Sequence, residues 1–214
     1  MKNTILILIS LLFLTGCMPP DGLHIKRYDN GQKKSEVNYL NGEFNGPTTM
    51  WYENGQKGWE GNYLNGKLDG LWTEWYENGE AKTIVNRKNG MKEGLQISWH
   101  ENGQKNYEGH YKNGRFDGPS ILWNENGQKI AEGNLNNRGR HGLWTFWYEN
   151  GQKMGELNNK NGKSDGLTTM WYENGQKKME GNYKNGKKDG LFTHWDKEGR
   201  DTKTVTYEDG EVIK

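Results

Sequence analysis

The amino-acid sequence predicts an all-β fold, an elongated antiparallel meander of about eight stacked β-hairpins. Three observations predict it. Tryptophan recurs at Trp51, Trp75, Trp99, Trp123, Trp147, Trp171 and Trp195, 24 residues apart every time. Glycine, usually preceded by asparagine, punctuates each interval twice, and Asn-Gly between β-prone runs is a strong hairpin signal because tight hairpin turns need positive φ. No glycine-free window is long enough for a stable helix.

The chain begins outside this pattern. Residues 1–16 carry one early cation, Lys2, then an apolar run from Ile5 to Leu14, then small residues. That run is far short of the roughly 20 residues that span a bilayer, and its flanks are those of an export signal. The ending Leu14-Thr15-Gly16-Cys17 resembles the lipobox of bacterial lipoproteins. The resemblance implies cleavage before Cys17, diacylglycerol on its sulfur and acylation of its amine. With Met18 rather than Asp next, it also implies the outer membrane of a two-membrane cell. One acyl chain holds a protein only marginally, whereas two or three on Cys17 would anchor it durably. Residues 17–26, with Pro19 and Pro20 and no aromatic ring, are expected to form the lipid-anchored tether.

From Arg27 to Lys214 the period yields eight units without an insertion. The end units are atypical, as caps of a repeat array should be: Arg27 replaces Trp in the first, and the last loses the Tyr and Asn of its turn. Counting from the Trp as position 1, position 5 is Gly in every unit, including Gly55, Gly79, Gly103, Gly127, Gly151 and Gly175. Positions 16 and 20 are Gly in seven units each, the first pattern slipping by one residue at Arg138-Gly139. Two turns per unit leave two strands, about sixteen in all, so the sheet is on the order of 75 Å long at about 4.8 Å per strand. Pro47 and Pro119 fall at position 21, where no N–H is available for a ladder, so the strand is expected to break or bulge at the preceding Asp-Gly.

Alternation places positions 21, 23 and 1 on one face of the first strand and positions 11 and 13 on one face of the second. A two-residue loop would set Trp beside position 10, which is usually Glu. A three-residue loop with a Gly bulge would set it beside Gly and Tyr, and that register is expected because a core does not collect Glu. The glycines would then leave room for the indoles. Position 2 points the other way, so Tyr28, Tyr52, Tyr76, Tyr148 and Tyr172 form a row interrupted by His100, Asn124 and Asp196. Tyr52, Tyr76, Tyr148 and Tyr172 are either a binding face for an extended partner or a second packed stripe.

Composition restricts the possible functions. Leu, Ile, Val and Phe number only 35 of 214 residues, but ten Trp and eleven Tyr can build a core, since each aromatic side chain buries a large area. Basic and acidic side chains balance at 29 and 28, and lysines are spread evenly, which speaks against a nucleic-acid partner. A single cysteine allows neither an intrachain disulfide nor a multi-cysteine zinc site.

The stretch WYENGQKKMEGNYKNGKKDGLF at residues 171–192 resembles the bacterial variant of the MORN repeat, and the resemblance extends over 27–214. Such proteins are commonly labelled antitoxins of the YwqK type. Their eukaryotic counterparts are associated with membranes, lipid head groups and protein scaffolding, so the resemblance implies a MORN-like repeat sheet that binds rather than catalyses. The residues agree. Glu at position 10 and Asp at position 19 recur with the period and read as architecture, while His24, His100, His110, His141 and His194 share no metal-ligand spacing. No phosphate-binding loop or nucleophile elbow occurs, because no helix follows the glycines. The chain is therefore expected to be no enzyme and to need no cofactor or metal. Its expected partners are a membrane, through lipid on Cys17, and a protein or cell-wall glycan along the sheet; an antitoxin role and a plain spacer are the alternatives.

Overall fold

The structure is a computed structural model and describes residues 18–213; residues 1–16, expected to be an export signal, and Cys17, expected to carry lipid, lie outside the described residues. The strands are β1 (Gly22–Arg27), β2 (Lys33–Leu40), β3 (Glu43–Trp51), β4 (Lys57–Leu64), β5 (Lys67–Leu68), β6 (Gly70–Trp75), β7 (Ala81–Lys88), β8 (Met91–Trp99) and β9 (Lys105–Lys112). They continue as β10 (Arg115–Trp123), β11 (Lys129–Asn136), β12 (Gly139–Trp147), β13 (Lys153–Lys160), β14 (Lys163–Trp171), β15 (Lys177–Lys184), β16 (Lys187–Trp195), β17 (Asp201–Glu208) and β18 (Glu211–Val212). Successive strands pair antiparallel in one open meander. β5 and β6 are two pieces of one strand opposite β4, broken at Asp69, whose N–H donates to the Asn62 carbonyl at 2.8 Å.

The two turns of each unit differ in kind. At position 15–16 seven turns have two residues with positive φ, 48–52° at Asn or Asp and 73–93° at Gly, as in Asn41-Gly42 and Asp209-Gly210. This is the primed hairpin turn, whose twist matches that of the strands it joins. The turn after the Trp has three loop residues, as in Glu53-Asn54-Gly55, with Gly55 at φ 86° and the Tyr52 N–H donating to the Gln56 carbonyl at 2.8 Å. Asn54 accepts the Gln56 N–H on Oδ1 at 2.9 Å, which fixes the loop. The three-residue loop with a glycine bulge is thus present as expected, and so is the break at Asp-Gly, as at Asp117-Gly118, where the register shifts between Phe116 and Ser120 and Gly118 has φ 124°.

Two expectations fail. Residues 22–26 are not tether: they form β1, paired with β2 from Gly22↔Tyr39 onward. Asp21-Gly22-Leu23 occupies positions 19–21 of the repeat, and the Asp21 carboxylate takes the Asn41 N–H at 2.6 Å. The folded hairpin therefore runs from position 20 of one unit to position 14 of the next. The tryptophans also face the other way. Trp51 lies opposite Lys57, but Met50 lies opposite Trp59, so Gly58 is an extra residue in the ladder. One inserted residue exchanges the faces of everything beyond it. The periodic Trp consequently shares its face with Lys at position 7 and Glu at position 10, and Gly61 and Tyr63 point to the opposite side.

That opposite side is the core face. Position 22 is buried at Thr48, Gln96, Ser120, Trp144, Thr168 and Phe192, and Val37, Val85 and Val205 are buried at position 11. Where position 22 is large, position 11 on the preceding strand is glycine. Gly61, Gly133 and Gly181 lie under Trp72, Trp144 and Phe192, and a methyl on Gly61 would come within 2.8 Å of the Trp72 ring. Aromatic rings do cover bare backbone here, but none of these three belongs to the 24-residue series. Rings at positions 13 and 18 continue the layer, as in Tyr39–Phe44–Tyr63 at centroid distances of 5.0 and 5.1 Å.

Candidate binding faces of the array

The side chains singled out in the sequence divide between the turn edge and the tryptophan face. At the edge, the Tyr28, Tyr52, Tyr76, Tyr148 and Tyr172 hydroxyls each donate to the carbonyl of the next unit's Trp at 2.7–3.0 Å. The His100 ring makes the same bridge to the Trp123 carbonyl at 3.0 Å. The asparagine at position 4 adds a second bridge, as where the Asn54 amide donates to the Glu77 carbonyl at 2.7 Å and the Asn150 amide to the Glu173 carbonyl at 2.8 Å. Burial pushes the Tyr28, Tyr52 and Tyr76 phenols above their ordinary range. The hydroxyls of Tyr52, Tyr76, Tyr148 and Tyr172 are thus engaged in stacking one turn on the next.

On the tryptophan face a lysine from the preceding unit lies over each of six indoles, Trp51, Trp75, Trp123, Trp147, Trp171 and Trp195, 5.4–5.9 Å from the ring centroid. Trp99 is the exception, because Ala81 stands where the lysine would be. The same lysines pair with Glu three residues on, Lys33–Glu36, Lys57–Glu60, Lys105–Glu108, Lys129–Glu132 and Lys177–Glu180 at 2.5–2.9 Å, and Lys153–Glu156 likewise. Glutamate beside tryptophan is acceptable because the face is half-exposed and each carboxylate has its cation. The Lys177 ammonium, bonded to Glu180, holds that carboxyl below the usual range, with help from Thr169. The hydrogen bond from Lys82 to Glu74, at 2.6 Å, raises the Lys82 amine.

Beside the indoles runs a stripe that sequence reasoning did not single out. Leu23, Leu71, Leu95, Leu143, Leu167 and Leu191, all at position 21, are 41–61 % exposed. Pro47 and Pro119 replace leucine at two steps, and there the surface dips into shallow notches lined by Pro47, Glu60 and Leu71, and by Pro119, Glu132 and Leu143. The recurrence of Leu or Pro at position 21 was visible in the sequence; its exposure was not, since the expected register put that face inside. Among the described residues no three His, Cys, Asp or Glu side chains gather as a metal site would require.

The MORN repeat variant family matches residues 20–41, 68–89, 92–113, 140–161 and 164–185, just over half of the chain. The chain belongs to this family. Its five matched MORN repeats have the same boundaries as the folded hairpins, beginning just before the position-20 glycine and ending at the tight turn. The stretches skipped between matches, 42–67 and 114–139, contain Pro47 and Pro119, yet β3–β4 and β10–β11 form the same hairpins. No curated protein matches the chain.

Proposed function

We propose that this MORN array is a non-catalytic scaffold, held at a bacterial cell envelope by lipid on Cys17, which binds a protein partner along the tryptophan face. The observation that carries the reading is the stripe of exposed leucines. A row of exposed leucines recurring on every other strand, with Asn or His between them, is costly in water and marks a surface that meets something else. Two strands separate successive leucines, about 9–10 Å, which suits an extended partner contacted at many weak points. The tyrosine row is a poorer candidate, because its hydroxyls already bridge the units.

Crosslinking in intact cells, followed by recovery of the anchored protein, tests the reading. A protein partner captured by the wild type and lost when Leu71, Leu95, Leu143 and Leu167 are changed to Ser, with an unchanged melting curve, supports it. Retention of the partner by that variant sinks it. Half-buried tryptophans on the same face favour a cell-wall glycan as the second reading, supported if insoluble peptidoglycan retains the wild type and not the variant. An intact mass starting at Met1, or an unmodified Cys17 thiol, would remove the anchor.

A further inference from the structure

We infer that the core face of the third and fourth units holds an oxyanion, a carboxylate or a phosphate group, between Arg87 and Lys92. These two residues lie directly opposite each other across β7 and β8. Like charges in that position repel and destabilise a hairpin. At the same two positions other units pair Tyr39 with Phe44, Tyr111 with Phe116 or Tyr183 with Lys188, and none combines two charges, so the fold itself does not call for the pair.

Nothing nearby neutralises them. Among the described residues neither cation forms a salt bridge with any carboxylate. The core-face positions hold one acid, Glu74, which is bonded to Lys82. Asp69 and Glu93, at the adjoining edge, accept the Asn89 and Asn113 N–H groups at 3.2 and 2.8 Å. Arg87 spends one terminal nitrogen on the Gly90 carbonyl at 3.1 Å, while its Nε is buried with no acceptor. The Tyr107 hydroxyl, lying over Gly109, is buried against the Tyr111 phenol, which burial and this contact push above its ordinary range. Lys92 sits 4.7 Å from the Tyr111 ring centroid, and burial together with Arg87 holds its amine below the ordinary lysine range.

The surroundings are polar where other units are aromatic. Lys92 donates to the Gln96 side-chain oxygen at 2.7 Å, Gln96 donates to the Ser98 hydroxyl at 3.1 Å, and Ser98 meets Thr83 at 3.1 Å. Gln96, which holds Lys92, stands at the position that Trp72 and Trp144 fill in neighbouring units. A cation pair held in place, with the buried Arg87 Nε–H unpaired and no acid of its own, lacks only an anion. The arginine fork and the ammonium suit a planar or tetrahedral oxyanion, and charge-assisted bonds of this type are the strong ones. The balanced net charge of the whole chain conceals the site.

Thermal unfolding of the full chain in sodium phosphate or sodium acetate, against chloride at matched ionic strength, tests the inference. A saturable rise of about 2–4 °C is expected in the wild type, abolished by Arg87→Gln and by Lys92→Gln. A rise with both anions assigns the site to carboxylates as well, and a rise with phosphate alone assigns it to phosphoryl groups. A second measurement needs no variant: the Lys92 amine, followed by NMR after reductive methylation with carbon-13, should move up toward its ordinary value as phosphate is added. No saturable rise in either anion, or a rise that survives both substitutions, or an unmoved Lys92 amine, overturns the inference.

Discussion

The junction between the fifth and sixth units is built differently from its neighbours. Elsewhere a tyrosine or histidine at position 2 and an asparagine at position 4 each reach the next unit, as Tyr148 reaches the Trp171 carbonyl and Asn150 the Glu173 carbonyl, both at 2.8 Å. In the fifth unit position 2 is Asn124, whose side chain folds back on its own turn to accept the Asn126 and Gln128 N–H groups at 3.1 and 3.0 Å. Both bridges to the sixth unit are missing there. The far edge of the same unit is also irregular, because Asn137-Arg138 replaces Asn-Gly in the tight turn and neither residue has positive φ.

What holds this seam is on the core face. Trp144 lies over Gly133, its indole N–H donates to the Asn134 carbonyl at 2.8 Å, and the Arg140 guanidinium packs 5.0 Å from Trp144 and 4.9 Å from Phe146. Regular junctions use edge hydrogen bonds that repeat with the period, even where a ring also covers glycine at Trp72 and Phe192, and the seam has the ring alone in their place. In a linear array, stability is approximately the sum of unit and nearest-neighbour terms, so the weakest interface sets where the array divides.

The largest expected effect tests that substitution. Trp144→Ala should cost about 3–5 kcal/mol and split urea unfolding into two transitions. Trp72→Ala, at a junction with both bridges, should cost a similar amount and keep one transition. Equal cooperativity in the two variants would show that the seam is no weaker than its neighbours. Next in size is Gly133→Ala, whose methyl would overlap the Trp144 ring. Displacing the indole should cost about 1–3 kcal/mol, read from the urea midpoint, while Gly70→Ala meets no atom and is strained only by its φ of 102°.

Edge bridges are worth less each. Tyr148→Phe should lose about 1 kcal/mol, and Asn124→Tyr should gain about as much if the missing bridge to Trp147 forms. A hydroxyl bond in the Asn124→Tyr crystal structure with no gain in melting temperature would refute the bridge as a stabilising element. The smallest effect is acid sensitivity of the Lys–Glu ladder. Because Glu180 titrates below its unfolded value, the stability it adds is fully present above about pH 4.3 and is lost as pH falls through its lowered folded value. Glu180→Gln should flatten that limb of the melting curve by less than about 1 kcal/mol, since the pair is part-exposed.

Much of the fold was legible because turns are local. Asn-Gly at position 15–16 and Gly at position 5 demand their backbone geometry from residue type alone, and the break before Pro47 follows from a missing N–H. The first strand has no aromatic ring to mark it, although Asp21-Gly22-Leu23 carries the position 19–21 signature. The face assignment failed for a subtler reason. Position 8 is Lys34, Gly58, Lys82, Asn106, Ile130 and Met154 in successive units, so no residue type announces the bulge there. The tyrosine row is legible in the sequence, but its bridging role depends on a carbonyl 23 residues away.

By itself, then, the sequence determined the period, the turn types, the number of hairpins and the family, all of which rest on glycine and asparagine conformations reached within a few residues. Only the tertiary structure decided which face is core, which tryptophans are buried in it, and that leucines lie bare beside the rest. Those outcomes turn on a single inserted residue in the ladder, and a strand's side-chain period of two makes every face beyond it depend on that one residue.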